Sequence, residues 1–132
     1  MSTITKFVDQ KVAANTIPGK VIGANYIIDF SEKNAATSDV IQAIPIKAGS
    51  YVMSAGLRVI TQEGSAVTAK LGDGSDDDRY GASINLNAAT EMVSSQPHYY
   101  AADDTIDLVA SGAIATAKVE VFVLLFEAAT GS

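Results

Sequence analysis

The segment Lys118–Glu127 (KVEVFVLLFE) constrains the fold more than any other stretch of the chain. Val119, Val121, Val123 and Leu125 fall on one face of a period-two repeat, and Phe122, Leu124 and Phe126 fall on the other. That alternation is the signature of a β-strand. A strand with apolar side chains on both faces has two places to go. It lies in the middle of a covered sheet, or it presents one face to an interface. Either way it needs neighbouring strands.

The rest of the chain supplies them. Lys20–Phe30 places Ile22, Ala24, Tyr26, Ile28 and Phe30 on one face. Asp39–Ile46 places Val40, Ile44 and Ile46 together, with Pro45 assigning the strand to an edge. In Tyr51–Thr61 the shared face is Met53, Ala55, Leu57 and Val59. Ala66–Leu71, Ala82–Leu86, Glu91–His98 and Thr105–Ala110 are shorter strands of the same kind. Between them lie KAGS, QEGS, the acidic loop GDGSDDDRYG and SGA, all turn-forming sequences. About eight strands with turns every 8–12 residues predict an all-β fold. We expect a single-domain antiparallel β-sandwich of jelly-roll type over residues 20–132. An immunoglobulin-like sandwich lacks its Cys and Trp signature, since both residue types are absent. Residues 1–19, ending in Ile17-Pro18-Gly19, read as an N-terminal arm. Within it Ile4, Phe7, Val8 and Val12 sit at helical spacing, without a convincing N-cap.

At 132 residues the chain has the length of one self-sufficient domain. Its formal charge of -6 disfavours nonspecific nucleic-acid binding. No run approaches the length of a membrane span or a signal peptide. The expected partners therefore include neither nucleic acid nor membrane.

The search for chemistry points away from an enzyme. His98 is the single histidine, and no GxSxG elbow offers it a nucleophile. One His and no Cys cannot build a zinc site. Calcium is the one metal to weigh, on Asp73 and Asp76–Asp78, with Asp103 and Asp104 as a second cluster. From Asp76 an EF-hand would need a closing Glu, and Asn87 stands there. Three consecutive Asp side chains are not expected to converge on one ion. The expectation is a solvated acidic turn, with no metal and no cofactor. For a glycan-binding role the candidates are Asp76, Asp77, Asp78, Tyr80, Tyr99 and Tyr100 at one loop end.

Three segments carry a resemblance. They are Ile44–Val59 (IPIKAGSYVMSAGLRV), Thr68–Leu86 (TAKLGDGSDDDRYGASINL) and Tyr100–Phe126, in which ADDTIDL leads through SGA to the last strand. Together they resemble small structural proteins of tailed-bacteriophage virions, of the head decoration or cement type. The resemblance implies a β-sandwich made in the host cytoplasm and bound to the outside of the capsid. There it would bridge copies of the major capsid protein and stabilise the shell. It also implies a homotrimer at local threefold positions, with residues 1–19 as an arm reaching over the shell. Ile4, Phe7, Val8 and Val12 of the arm, with Phe122, Leu124 and Phe126 of the last strand, are then the interface candidates. No catalytic residue carries over. The rival reading is a carbohydrate-binding jelly-roll module of a phage head or tail fibre. A small hydrolase is the third.

Overall fold

The computed structural model describes residues 20–127, and Ile4, Phe7, Val8 and Val12, named above as interface candidates of an expected arm, lie outside that range. The described residues form nine strands and no helix. They are β1 (Lys20–Asp29), β2 (Val40–Ile46), β3 (Ser50–Thr61), β4 (Thr68–Gly72), β5 (Gly81–Asn85), β6 (Glu91–Ser94), β7 (His98–Tyr100), β8 (Asp104–Ala110) and β9 (Lys118–Glu127). One sheet runs β1-β9-β3-β6, with β7 also paired to β3, and the other runs β2-β8-β4-β5. All pairings are antiparallel. The result is the all-β two-sheet sandwich that the alternation predicts. Its strand order is compatible with an eight-stranded jelly roll whose sixth strand is broken in two, as β6 and β7.

The core is built from the inner faces. Val119, Val121, Val123 and Leu125 of β9 pack beside Ala55, Leu57 and Val59 of β3. From the opposing sheet come Ile44, Ile46, Ala69, Leu71, Ile106 and Leu108. As β9 is central, its pairs with β1 run without interruption from Lys20↔Glu127 to Asp29↔Lys118.

Three details depart from simple alternation. A bulge between Gln42 and Ile44 turns Val40 outward and Ile41 toward the core. A second bulge, between Val52 and Ser54, puts Val52 in the core where alternation assigns Met53. An extra residue shifts the phase of every side chain beyond it. Third, the strand expected over Glu91–His98 is two strands, β6 and β7, separated by Ser95-Gln96-Pro97. Pro97 has no N–H to offer β3. Pro45 does sit on an edge strand, as expected.

Glu63, in the QEGS turn after β3, is a buried charge that the pattern does not reveal. Its carboxylate accepts the backbone N–H groups of Ala115 (2.9 Å), Thr116 (2.9 Å) and Ala117 (2.8 Å). Burial pushes its pKa up, and these three hydrogen bonds outweigh burial and hold it below the usual value. The turn before β9 is thereby fixed.

Candidate functional site

Two surfaces carry the residues singled out by the sequence: the acidic loop after β4 and the outer face of the five-stranded sheet. The acidic loop folds back over Gly72. A Cβ at Gly72 would lie 2.1 Å from the carbonyl oxygen of Asp76, so only glycine admits the loop this close. Asp73 then points inward and is 2% exposed. Its Oδ1 accepts the N–H groups of Ser75 (3.0 Å) and Asp76 (2.9 Å). Its Oδ2 accepts Arg79 Nε at 2.6 Å and the Tyr100 hydroxyl at 2.7 Å. Tyr80 and Tyr100 share a further hydroxyl contact of 2.7 Å.

Asp73, Arg79, Tyr80 and Tyr100 thus form one network, with Asp73, Tyr80 and Tyr100 buried and Arg79 half-buried at its rim. It ties the loop of the four-stranded sheet to β7 of the five-stranded one. Burial raises the pKa of Asp73, but the bonds from Arg79, Tyr100, Asp76 and Ser75 override it and hold the pKa at about 2. Burial drives the Tyr100 phenol far above its ordinary range, and its contacts with Tyr80 and Asp73 add to the effect. His98 lies edge-on to the Tyr100 ring at 4.7 Å.

This arrangement changes the reading of the loop-end candidates. Tyr80 and Tyr100 are each 3% exposed, and both hydroxyls are engaged. They belong to the core and offer no stacking surface to a sugar. Tyr99 is exposed, but it belongs to the five-stranded sheet, not to the Asp76–Asp78 loop. The six residues therefore do not share one binding face.

The carboxylates of Asp76, Asp77 and Asp78 converge after all, with one oxygen of each within 4.8 Å of the others. The tight turn over Gly72 brings them together, against the expectation from three consecutive Asp residues. Their neighbourhood shows in Asp78, whose pKa is raised by its hydrogen bond with Asp76 and by the charges of Asp76 and Asp77. Asp77 and Asp78 lie exposed in solvent.

Asp107, on β8, is a second buried acidic residue, with Glu63, that the sequence pattern does not reveal. It is buried beside a cavity of about 480 Å³ that Lys70, Asp73 and Asp77 also line. The Thr105 hydroxyl donates to it at 2.5 Å. Burial raises its pKa despite that bond, and the charges of Asp104 and Asp73 act in the same direction. A carboxyl with a raised folded-state pKa is most favourable below its unfolded value and loses that contribution as pH rises through the folded value. Asp107→Asn is therefore expected to be neutral or to stabilise by about 1 kcal/mol at pH 7. Chemical denaturation of the two proteins at pH 7 checks this; a clear destabilisation would mean that the charged form is the one the site favours.

The outer face of the five-stranded sheet is ordered in rows. Val21, Phe126, Tyr51 and Tyr99 are cross-strand neighbours on β1, β9, β3 and β7. All four are exposed large apolar side chains. The next row holds Leu124, and the one after it holds Phe122 and Val93. Phe122 lies on Gly56, where a Cβ would meet its ring at 2.6 Å and the Met92 carbonyl at 2.4 Å. Phe122 is thus half-buried within its own chain, whereas Leu124 and Phe126 are 39% and 45% exposed. A charged row follows, in which Glu120 accepts Arg58 Nε and Asn25 Nδ2, both at 2.6 Å. Strand β9 is therefore central in its sheet and, among the described residues, uncovered on its outer side.

No family model matches the chain, and no curated protein is significantly similar in sequence. Solved structures do share the fold. A chain from the acidic stable capsid structure of the Helicobacter pylori bacteriophage KHP30 aligns with a TM-score of 0.62 and 13% identity, over 83% of this chain and 93% of its own length. A chain from the capsid asymmetric unit of the cyanophage Pam1 aligns with a TM-score of 0.65 and 16% identity, over 83% of this chain and 86% of its own. At these identities the likeness is one of fold.

Proposed function

We propose that the chain is a structural component of a phage virion, without enzymatic activity, that binds the outside of the capsid and stabilises the shell by bridging capsid subunits. The observation that carries this reading is the apolar row Val21, Phe126, Tyr51 and Tyr99, continued by Leu124, across the outer face of the five-stranded sheet. Contiguous apolar surface of this kind marks a protein interface. The fold is the one found in chains of two phage capsid structures, which agrees with the reading. Attachment at symmetric positions lets modest single contacts add up. On the shell, the capsid's own symmetry gathers copies in threes, with residues 1–19 as the arm.

The test is co-sedimentation with capsids of the phage that encodes the chain. Wild-type protein is expected to pellet with them to a fixed saturation and to raise the temperature at which they release DNA. Leu124→Asp, at an exposed position, is expected to remain folded and to bind at least tenfold more weakly, the loss of about 1.4 kcal/mol or more. Capsids left bare by saturating wild-type protein would reject the proposal. A glycan array serves the rival reading, for which Tyr99 is the one exposed ring of the three tyrosines proposed.

A further inference from the structure

Among the described residues, the sandwich has four kinds of sheet edge, and they are not alike. Natural sheets blunt their edges with short strands, prolines, bulges or inward charges, because an open edge pairs with other chains. Edge β2 carries Pro45 and a bulge. Edge β5 is five residues long and faces a bulge in its pairing with β4. The β6 and β7 edge is broken into pieces of four and three residues. Edge β1 has none of these devices. It is ten residues long, free of proline, and regular along its whole pairing with β9. Among the described residues nothing pairs with its other side.

The side chains along β1 show what would fit there. Val21 and Ile27 on the outer face are 58% and 49% exposed, and Tyr26 on the inner face is 51% exposed. Tyr26 also borders an open cleft of about 400 Å³ between β1 and β2, with Ile28, Val40 and Ile41. An added antiparallel strand must keep outer residues opposite outer and inner opposite inner. Two copies of β1 related by a twofold axis at Ala24 satisfy that condition. Val21 then opposes Ile27 of the second copy, Ile22 opposes its Tyr26, and the small Ala24 opposes itself. Each exposed apolar residue of β1 meets an apolar partner, within the reach of cross-strand pairs. Lys20 opposes Ile28 at the ends, so no like charges meet.

We infer that the β1 edge is a self-association site, at which a second copy of this chain adds its own β1 antiparallel, centred on Ala24. The contact is isologous, so it closes as a dimer and does not propagate. The pairing joins the two five-stranded sheets into one. Pro45 and the bulge on β2 keep the other sheets from doing the same. The inference is independent of the capsid reading and is tested on the free protein.

The experiment is mass determination of the full chain by light scattering behind a sizing column, with four proteins compared. Wild type is expected at twice the chain mass. V21K and I27E are each expected at the monomer mass, since each sets a charge against an apolar partner across the twofold. Positions 21 and 27 face each other only between copies, so V21K/I27E is expected to regain the dimer through two opposite-charge pairs. Thermal melts of the monomeric variants show that the fold is retained. A monomeric wild type would overturn the inference, and if deletion of residues 1–17 then produced a dimer, the chain's own N-terminal segment would be the occupant of the edge. A dimer or trimer that V21K leaves intact would also overturn it. Failure of the double variant to recover would reject the Ala24-centred register.

Discussion

Asp73→Ala is expected to destabilise the fold by about 3–5 kcal/mol, the cost of breaking a buried ion pair by removing one member. Arg79 would lose its partner at 2.6 Å, and Tyr100 would lose the acceptor of its buried hydroxyl. The N–H groups of Ser75 and Asp76 would lose theirs as well. Urea unfolding at pH 7 measures the effect. A loss of about 1 kcal/mol or less, the size of an exposed pair, would mean that water replaces the carboxylate without penalty.

The same residue sets an acid limit. The folded-state pKa of Asp73 is depressed from 3.8 to about 2. Its contribution is complete above 3.8 and is lost as pH falls toward about 2. The wild-type protein should therefore lose stability through that window, and Asp73→Asn should start lower and fall less steeply. Parallel pH profiles for the two proteins would remove Asp73 from the account of acid stability.

Gly72→Ala is the second large effect, at about 3 kcal/mol. The new methyl would lie within 2.6 Å of three backbone atoms of Asp76 and Asp77. No rotamer relieves a clash with backbone, so the loop must lift from β4. Lifting it opens the ground around Asp73 and Asp107. Limited proteolysis should then cut faster between residues 73 and 80. A wild-type unfolding midpoint with unchanged protease resistance would show that the loop has a second, equally good position.

Much of this was legible from alternation. The period-two runs locate β1, β3, β8 and β9 to within a residue or two, because a half-buried strand must alternate. The inward face of β9 follows directly from its spacing. What alternation does not carry is phase after a bulge. Val52 and Met53 are adjacent apolar residues, and nothing local says which one enters the core. The exposure of the second face of β9 was likewise open, since apolar residues suit both a covered sheet and an interface. The acidic loop was hardest. Asp73 and Asp76 are the same residue type in one turn, yet one is buried with four partners and the other is not. The difference comes from Gly72, Arg79 and Tyr100, and Tyr100 is distant in sequence. Glu63 is hidden for the same reason, as its hydrogen-bond donors lie about fifty residues on.

The position of β9 also has a kinetic side. It is the middle strand between β1 and β3, and Ile22 pairs with Leu125 across nearly the whole described chain. Closing a loop of that length is slow compared with forming a hairpin, and all-β folds dominated by such pairings fold in milliseconds to seconds. During synthesis β1 and β3 leave the ribosome with the place between them empty. The four-stranded sheet can gather first once β8 is made, but the five-stranded sheet waits for residues 118–127. Until then two long apolar strands stand open to other nascent chains. Yield in a cell should therefore depend on how quickly the last ten residues of the sheet arrive, and slowing translation just before Lys118 should favour aggregation without altering the finished protein.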